Sequence, residues 1–216
     1  MLELRLLKDR IFAASNVMAL PVYAGFLSLI YLLPLFLQRE AGHSPLTVGL
    51  ALFPQPLGVL VATQISGRFL YNRFGPRRLL IAGNVGALVL GLLIARIDLN
   101  TDLWLLRSLM FGRGLAMGLI FVPLQAAVYA GMEGRDLPRA TAIFGTTRQI
   151  APALGVAIAS TVLAAGFGDA PTAATRVDSY QTAMTVSALL FAIGIPLAMR
   201  IRDEDAARTR GQVPAR

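Results

Sequence analysis

Residues 11–37 read IFAASNVMALPVYAGFLSLIYLLPLFL, 27 positions without a charged side chain. Wound as an α-helix, such a run is about 40 Å long, more than the roughly 30 Å of hydrocarbon in a bilayer. Lipid offers no water to peptide groups, so a chain crossing it must pair its own N–H and C=O groups by forming a helix. Pro21 and Pro34 fall inside the run, and a membrane helix tolerates them where neighbours satisfy the freed carbonyls.

Five more runs of this kind follow, at 46–66, 79–97, 103–130, 141–165 and 180–199. Between them stand QREAGHSP, GRFLYNRFGPRR, DLNT, GMEGRDLPR and GFGDAPTAATRVDS. Each break combines charge with the residues that end helices or form turns. The expected fold is an all-α integral membrane protein, a six-transmembrane-helix bundle over 11–200. A short segment, 1–10, precedes it and a polar tail, 201–216, follows. The composition agrees: 56% of the residues are apolar and 15% charged, against roughly a quarter charged in soluble domains.

Charge placement sets the expected orientation. Fourteen of the 20 Lys and Arg residues lie in the two ends and in the breaks at 67–78 and 131–139. Only Arg39, Arg96 and Arg176 lie on the opposite side, in the other three breaks or, for Arg96, at the end of the run beside one. Positive residues collect on the cytoplasmic side, so both termini are expected in the cytoplasm. The net charge of +8 therefore reads as topology, and no nucleic-acid partner is expected. There is no cysteine. No metal-ligand cluster, nucleophile–base pair or phosphate loop is recognisable, so neither an enzyme nor a cofactor is expected.

Three arginines remain inside the runs: Arg107, Arg113 and Arg148. Intramembrane charge is costly and marks function or a partner. Arg107 is one turn from a run's end and can snorkel to the interface. Arg113 is near the middle of its run and calls for a water-filled cavity or an acidic partner. Arg148 can touch a ligand or a helix end. All twelve acids fall in breaks or ends, so no carboxylate is expected within the membrane to carry a proton or to pair with Arg113. Tyr23, Gln55 and Gln125 add polar handles within an apolar setting, as a pocket for small amphipathic molecules requires. Gly114 and Gly118 stand in GxxxG spacing, and Gly83, Gly86 and Gly91 lie in the third run. Such small residues let helices approach closely.

The segment SGRFLYNRFGPRRLLIAG, 66–83, resembles the cytoplasmic loop motif of the major facilitator superfamily. The stretches FGRGLAMGLIFVPLQAA and ATAIFGTTRQIAPALGVAIAS, with the opening LELRLLKDRIFAASN, resemble its EmrB/QacA-like fourteen-helix drug:proton antiporter branch. On this resemblance the chain is the C-terminal six-helix half of a major facilitator fold, set in the bacterial inner membrane. The implied activity is secondary efflux of small amphipathic drugs or metabolites by alternating access. Proton-coupling residues would then lie in an N-terminal half of six or eight helices, from the same gene or a separate chain. Tyr23, Gln55, Arg113, Gln125 and Arg148 would face the substrate. The loop motif would comprise Gly67, Asn72, Arg73, Gly75, Arg77 and Arg78. Asn72 stands where the motif has aspartate, and Gly67 and Gly75 are one residue too far apart. Ala151 and Pro152 replace the paired glycines of the family, which leaves the packing of the fifth run open. Two other readings also remain open: a non-transporting truncated protein or assembly partner, and a half-carrier that pairs with a second copy.

Overall fold

A computed structural model describes residues 10–129, 136–167 and 172–200, with only the backbone of Arg10 and Asn72. The expectations for 1–9, the tail at 201–216 and the side chain of Asn72 lie outside the described residues. Among the described residues there is no strand. The helices are α1 (Arg10–Arg39), α2 (Pro45–Leu52), α3 (Pro54–Ile65), α4 (Tyr71–Ile94), α5 (Leu103–Tyr129), α6 (Asp136–Phe167) and α7 (Ala173–Arg200), with a π-helical turn at Ser66–Leu70 after α3. By length and composition they make six membrane spans, α2, α3 and the π turn together forming the second.

Local chemistry explains the boundaries. The Ser44 hydroxyl accepts from the Thr47 amide at 3.2 Å, with Pro45 opening α2. The Asp102 carboxylate accepts from the Trp104 amide at 2.9 Å at the start of α5, and the Thr172 hydroxyl accepts from the Thr175 amide at 3.2 Å at the start of α7. Each satisfies an amide that a helix N-terminus leaves open. These caps also explain why α7 begins seven residues before its apolar run: polar residues extend the helix beyond the membrane. Asp178 therefore lies within α7, exposed in its second turn, although it was expected in a break.

The second break differs most from expectation. The sequence predicts twelve residues of loop at 67–78. Instead the helix runs through Gly67, and the interruption falls at Gly75 alone, at φ 78° and ψ 162°. Pro76 follows, where its missing N–H costs nothing at the opening of the next helical segment.

The chain order is not the packing order. α3 lies along α5, α4 lies between α5 and α7, and α1 packs against both α6 and α7. The α3–α5 contact is made by glycine: a Cβ on Gly58 would strike the Phe111 carbonyl, and one on Gly114 the Gln55 carbonyl. α6 packs closely without the family's paired glycines, because Gly155, one turn beyond Ala151, lies against the Ala24 backbone of α1. At one end of the bundle Arg176 of α7 donates from Nε to Glu40 after α1 at 2.9 Å.

The apolar interior has two layers. One contains Phe12, Met18, Val22, Leu80, Met117, Leu124, Phe144 and Phe191. The other contains Leu29, Leu33, Phe36, Val48, Ile94, Met110, Leu163 and Tyr180. Positions 24–28 of α1 and 111–115 of α5 fall between them, and this seam holds the polar residues that matter next.

Candidate functional site

α2 and α3 are separated at Phe53, because Pro54 and Pro56 lack the N–H groups that Leu50 and Leu52 carbonyls would otherwise receive. A cavity of about 540 Å³ opens beside this break. Its walls are Phe26, Leu29, Ile30 and Leu33 of α1, Gly49 and Leu52 of α2, Phe53, Gln55, Pro56 and Val59 from the start of α3, and Met110 and Phe121 of α5. The size suits a drug-like molecule. Among the lining residues Gln55 alone has a polar side chain. It is 6% exposed, and its Nε2 has no hydrogen-bond partner among the described residues.

Arg113 sits behind this wall with no exposed surface. Its Nη2 donates to the Gly25 and Phe26 carbonyls of α1, each at 3.3 Å. Those bonds are longer than the 2.7–3.2 Å usual for N–H···O, and both carbonyls also belong to a helix. The guanidinium carbon lies 5.3 Å from the centre of the Phe26 ring, a cation–π contact worth about 2 kcal/mol when desolvated. Nε and Nη1 have no partner among the described residues. Among the described residues Arg113 therefore meets two carbonyls and a ring, and no acidic side chain.

The rings form a row across the seam. Phe26 meets Phe121 edge to face at 5.4 Å, and Phe121 stacks on Tyr23 at 5.5 Å. Arg148, exposed on α6, holds its guanidinium 5.6 Å from the Tyr23 ring and 5.9 Å from Phe144. The row therefore runs from one arginine to another. Of the residues expected at a substrate site, the structure brings Gln55 to the cavity, Arg113 behind it and Tyr23 and Arg148 to the far end of the row. Gln125 is exposed on α5 and is not part of the wall. Phe26 and Phe121 are central here, yet in sequence they look like any other apolar residue of their runs. Only the separation of about one turn between Tyr23 and Phe26 hinted at a shared helix face.

Arg107 behaves as a residue at a helix end: its guanidinium lies 4.5 Å from the ring of Trp104, which is 70% exposed. In the loop motif, Arg73, Arg77 and Arg78 are exposed, and Arg73 lies 5.6 Å from the Phe74 ring. Gly67 sits in the π turn, and among the described residues nothing lies within 4 Å of where a Cβ would be.

Comparison with known proteins adds the following. The family model of the Major Facilitator Superfamily matches residues 16–216. The chain is 26% identical over 214 residues to lincomycin resistance protein LmrB of Listeria monocytogenes, covering 94% of this chain and 45% of that protein. It is 30% identical over 181 residues to puromycin resistance protein pur8 of Streptomyces alboniger, covering 80% of this chain and 36% of the relative. It is 29% identical over 162 residues to the MFS-type transporter YhcA of Bacillus subtilis, covering 75% and 30%. The chain thus spans less than half the length of these curated relatives.

Proposed function

Because the chain belongs to the Major Facilitator Superfamily, we propose that it is the C-terminal six-helix half of a secondary efflux carrier for small amphipathic compounds. It is a multi-pass membrane transporter of drug-efflux type, not an enzyme. The finer reading is carried by one observation: a drug-sized apolar cavity at a proline-broken helix, with a buried arginine beside it. Carriers of this type bind substrate near the midplane at the contact between two repeats. The resistance relatives support amphipathic antibiotics as the substrate class. In this reading the partner is an N-terminal bundle of six or eight helices, in the same polypeptide or separate, or a second copy. It would cover the face of α6 on which Thr146, Arg148 and Gln149 are exposed.

The described spans hold no acid at the level of the cavity, and a proton-driven exchange needs a titratable group there. Vesicles carrying only this polypeptide should therefore show no proton-driven export of a fluorescent amphipath such as 2-naphthoate. Adding an N-terminal bundle should restore export. Coupled export by the six helices alone refutes the half-carrier reading.

The chain is proposed to lie in the bacterial plasma membrane with both termini in the cytoplasm. The sequence has no cysteine, so single-cysteine variants label without background. Asn100→Cys should react with a membrane-impermeant maleimide on intact cells. Leu137→Cys should react only after permeabilisation. The reverse pattern overturns the orientation.

A further inference from the structure

The polar groups around the cavity are unusual in kind. Gln55 Nε2 and Arg113 Nε and Nη1 are buried, and none has a partner among the described residues. All three are donors. The proline break does free backbone carbonyls at Leu50 and Leu52, but no carboxylate lines the cavity. The two charged side chains flanking its aromatic row, Arg113 and Arg148, are both cations. Phe26 connects the parts: its ring lines the cavity and lies over Arg113, and its carbonyl accepts from Arg113. Phe26 is therefore the residue shared by the cavity wall and the guanidinium.

We propose that this cavity takes amphipaths with an anionic head, a carboxylate, sulfonate or phosphate, on an apolar and preferably aromatic body. The inference rests on the cavity being the substrate site. The body lies along Phe26 and Phe121. The head receives hydrogen bonds from Gln55 and from the two unpartnered nitrogens of Arg113, Nε and Nη1. An anion is stabilised there twice, by charge and by donors that otherwise go unsatisfied in a dry interior. A cationic head meets two like charges and no carboxylate.

The test uses the purified full chain in phosphatidylcholine nanodiscs, titrated with three probes sharing one ring system: 2-naphthoate, 2-naphthalenemethanol and 2-naphthylmethylammonium. Naphthoate should bind about tenfold more tightly than the alcohol, the increment expected of a charge-assisted hydrogen bond, and the ammonium most weakly. Arg113→Met should reduce naphthoate to the affinity of the alcohol and leave the alcohol unchanged. Should that variant fail to fold, Arg113→Lys keeps the charge and should keep the order of the three probes. Equal binding of all three overturns the anionic class but leaves a substrate cavity in place. Binding of none overturns both readings. Naphthoate preference surviving in folded Arg113→Met also overturns the proposal. Discs containing phosphatidylglycerol identify the source of the head. Competition there points to a lipid, and its absence to a free anion, and either result keeps the class.

Discussion

Replacing Gly114 with leucine should abolish the folded bundle. The α-hydrogen of Gly114 faces the backbone of α3, where any Cβ would overlap the Gln55 carbonyl and press on the Val59 amide. These atoms are main chain and cannot rotate away, so α3 must leave α5. Overpacking a core costs about 1–3 kcal/mol when side chains can adjust. Here the adjustment is a helix displacement that also opens the contact at Gly58, so the effect lies at or above that range. The check is gel filtration in detergent, where Gly114→Leu should lose the monodisperse peak. Gly145 is the internal control. It also lies within a helix, α6, but has nothing within 4 Å of a built Cβ. Gly145→Ala should keep the peak and raise stability by about 0.5–1 kcal/mol, the usual gain from alanine in a helix. A normal peak for Gly114→Leu would falsify the backbone contact as described.

Gly75→Val should be the next most damaging change. At φ 78° and ψ 162° this residue occupies a region that is essentially reserved for glycine, and holding another residue there costs about 1–3 kcal/mol. No neighbouring loop residue can share the strain, since helical backbone runs up to Gly75 and resumes at Pro76. Gly67→Ala, in the same motif, should cost nothing and gain about as much as Gly145→Ala, roughly 0.5–1 kcal/mol, because Gly67 has helical geometry and, among the described residues, open space beside it. Thermal unfolding of the two variants side by side gives the comparison. Equal midpoints would show that the motif needs neither glycine for its backbone.

Why some of this was legible in the sequence and some was not follows from the chemistry. The six spans were, since no other medium tolerates 27 uncharged residues in a row. Gln55 and Arg113 stood out because a polar group in an apolar run has few places to go. The single-residue break at Gly75 did not. GRFLYNRF has turn-like composition, yet its polar side chains can be solvated on a helix that extends past the membrane, and nothing local distinguishes the two outcomes. Gln125 shares residue type with Gln55 but stands exposed on α5, and only tertiary packing separates them. The aromatic row was hidden for a similar reason. Phe26, Phe121 and Tyr23 come from helices almost a hundred residues apart, and their apolar surroundings give no sign of which rings meet.

The contact of α1 with α7 has one more consequence. The first and last helices lie side by side, pinned at one end by Glu40 and Arg176 and lining a shared groove with Ala13 and Arg200 at the other. The ends of the helical bundle are therefore neighbours. Connectivity is then a free variable. A linker from Arg200 to Arg10 and a cut in the turn at Asn100 would give a circular permutant with every packing contact of the original.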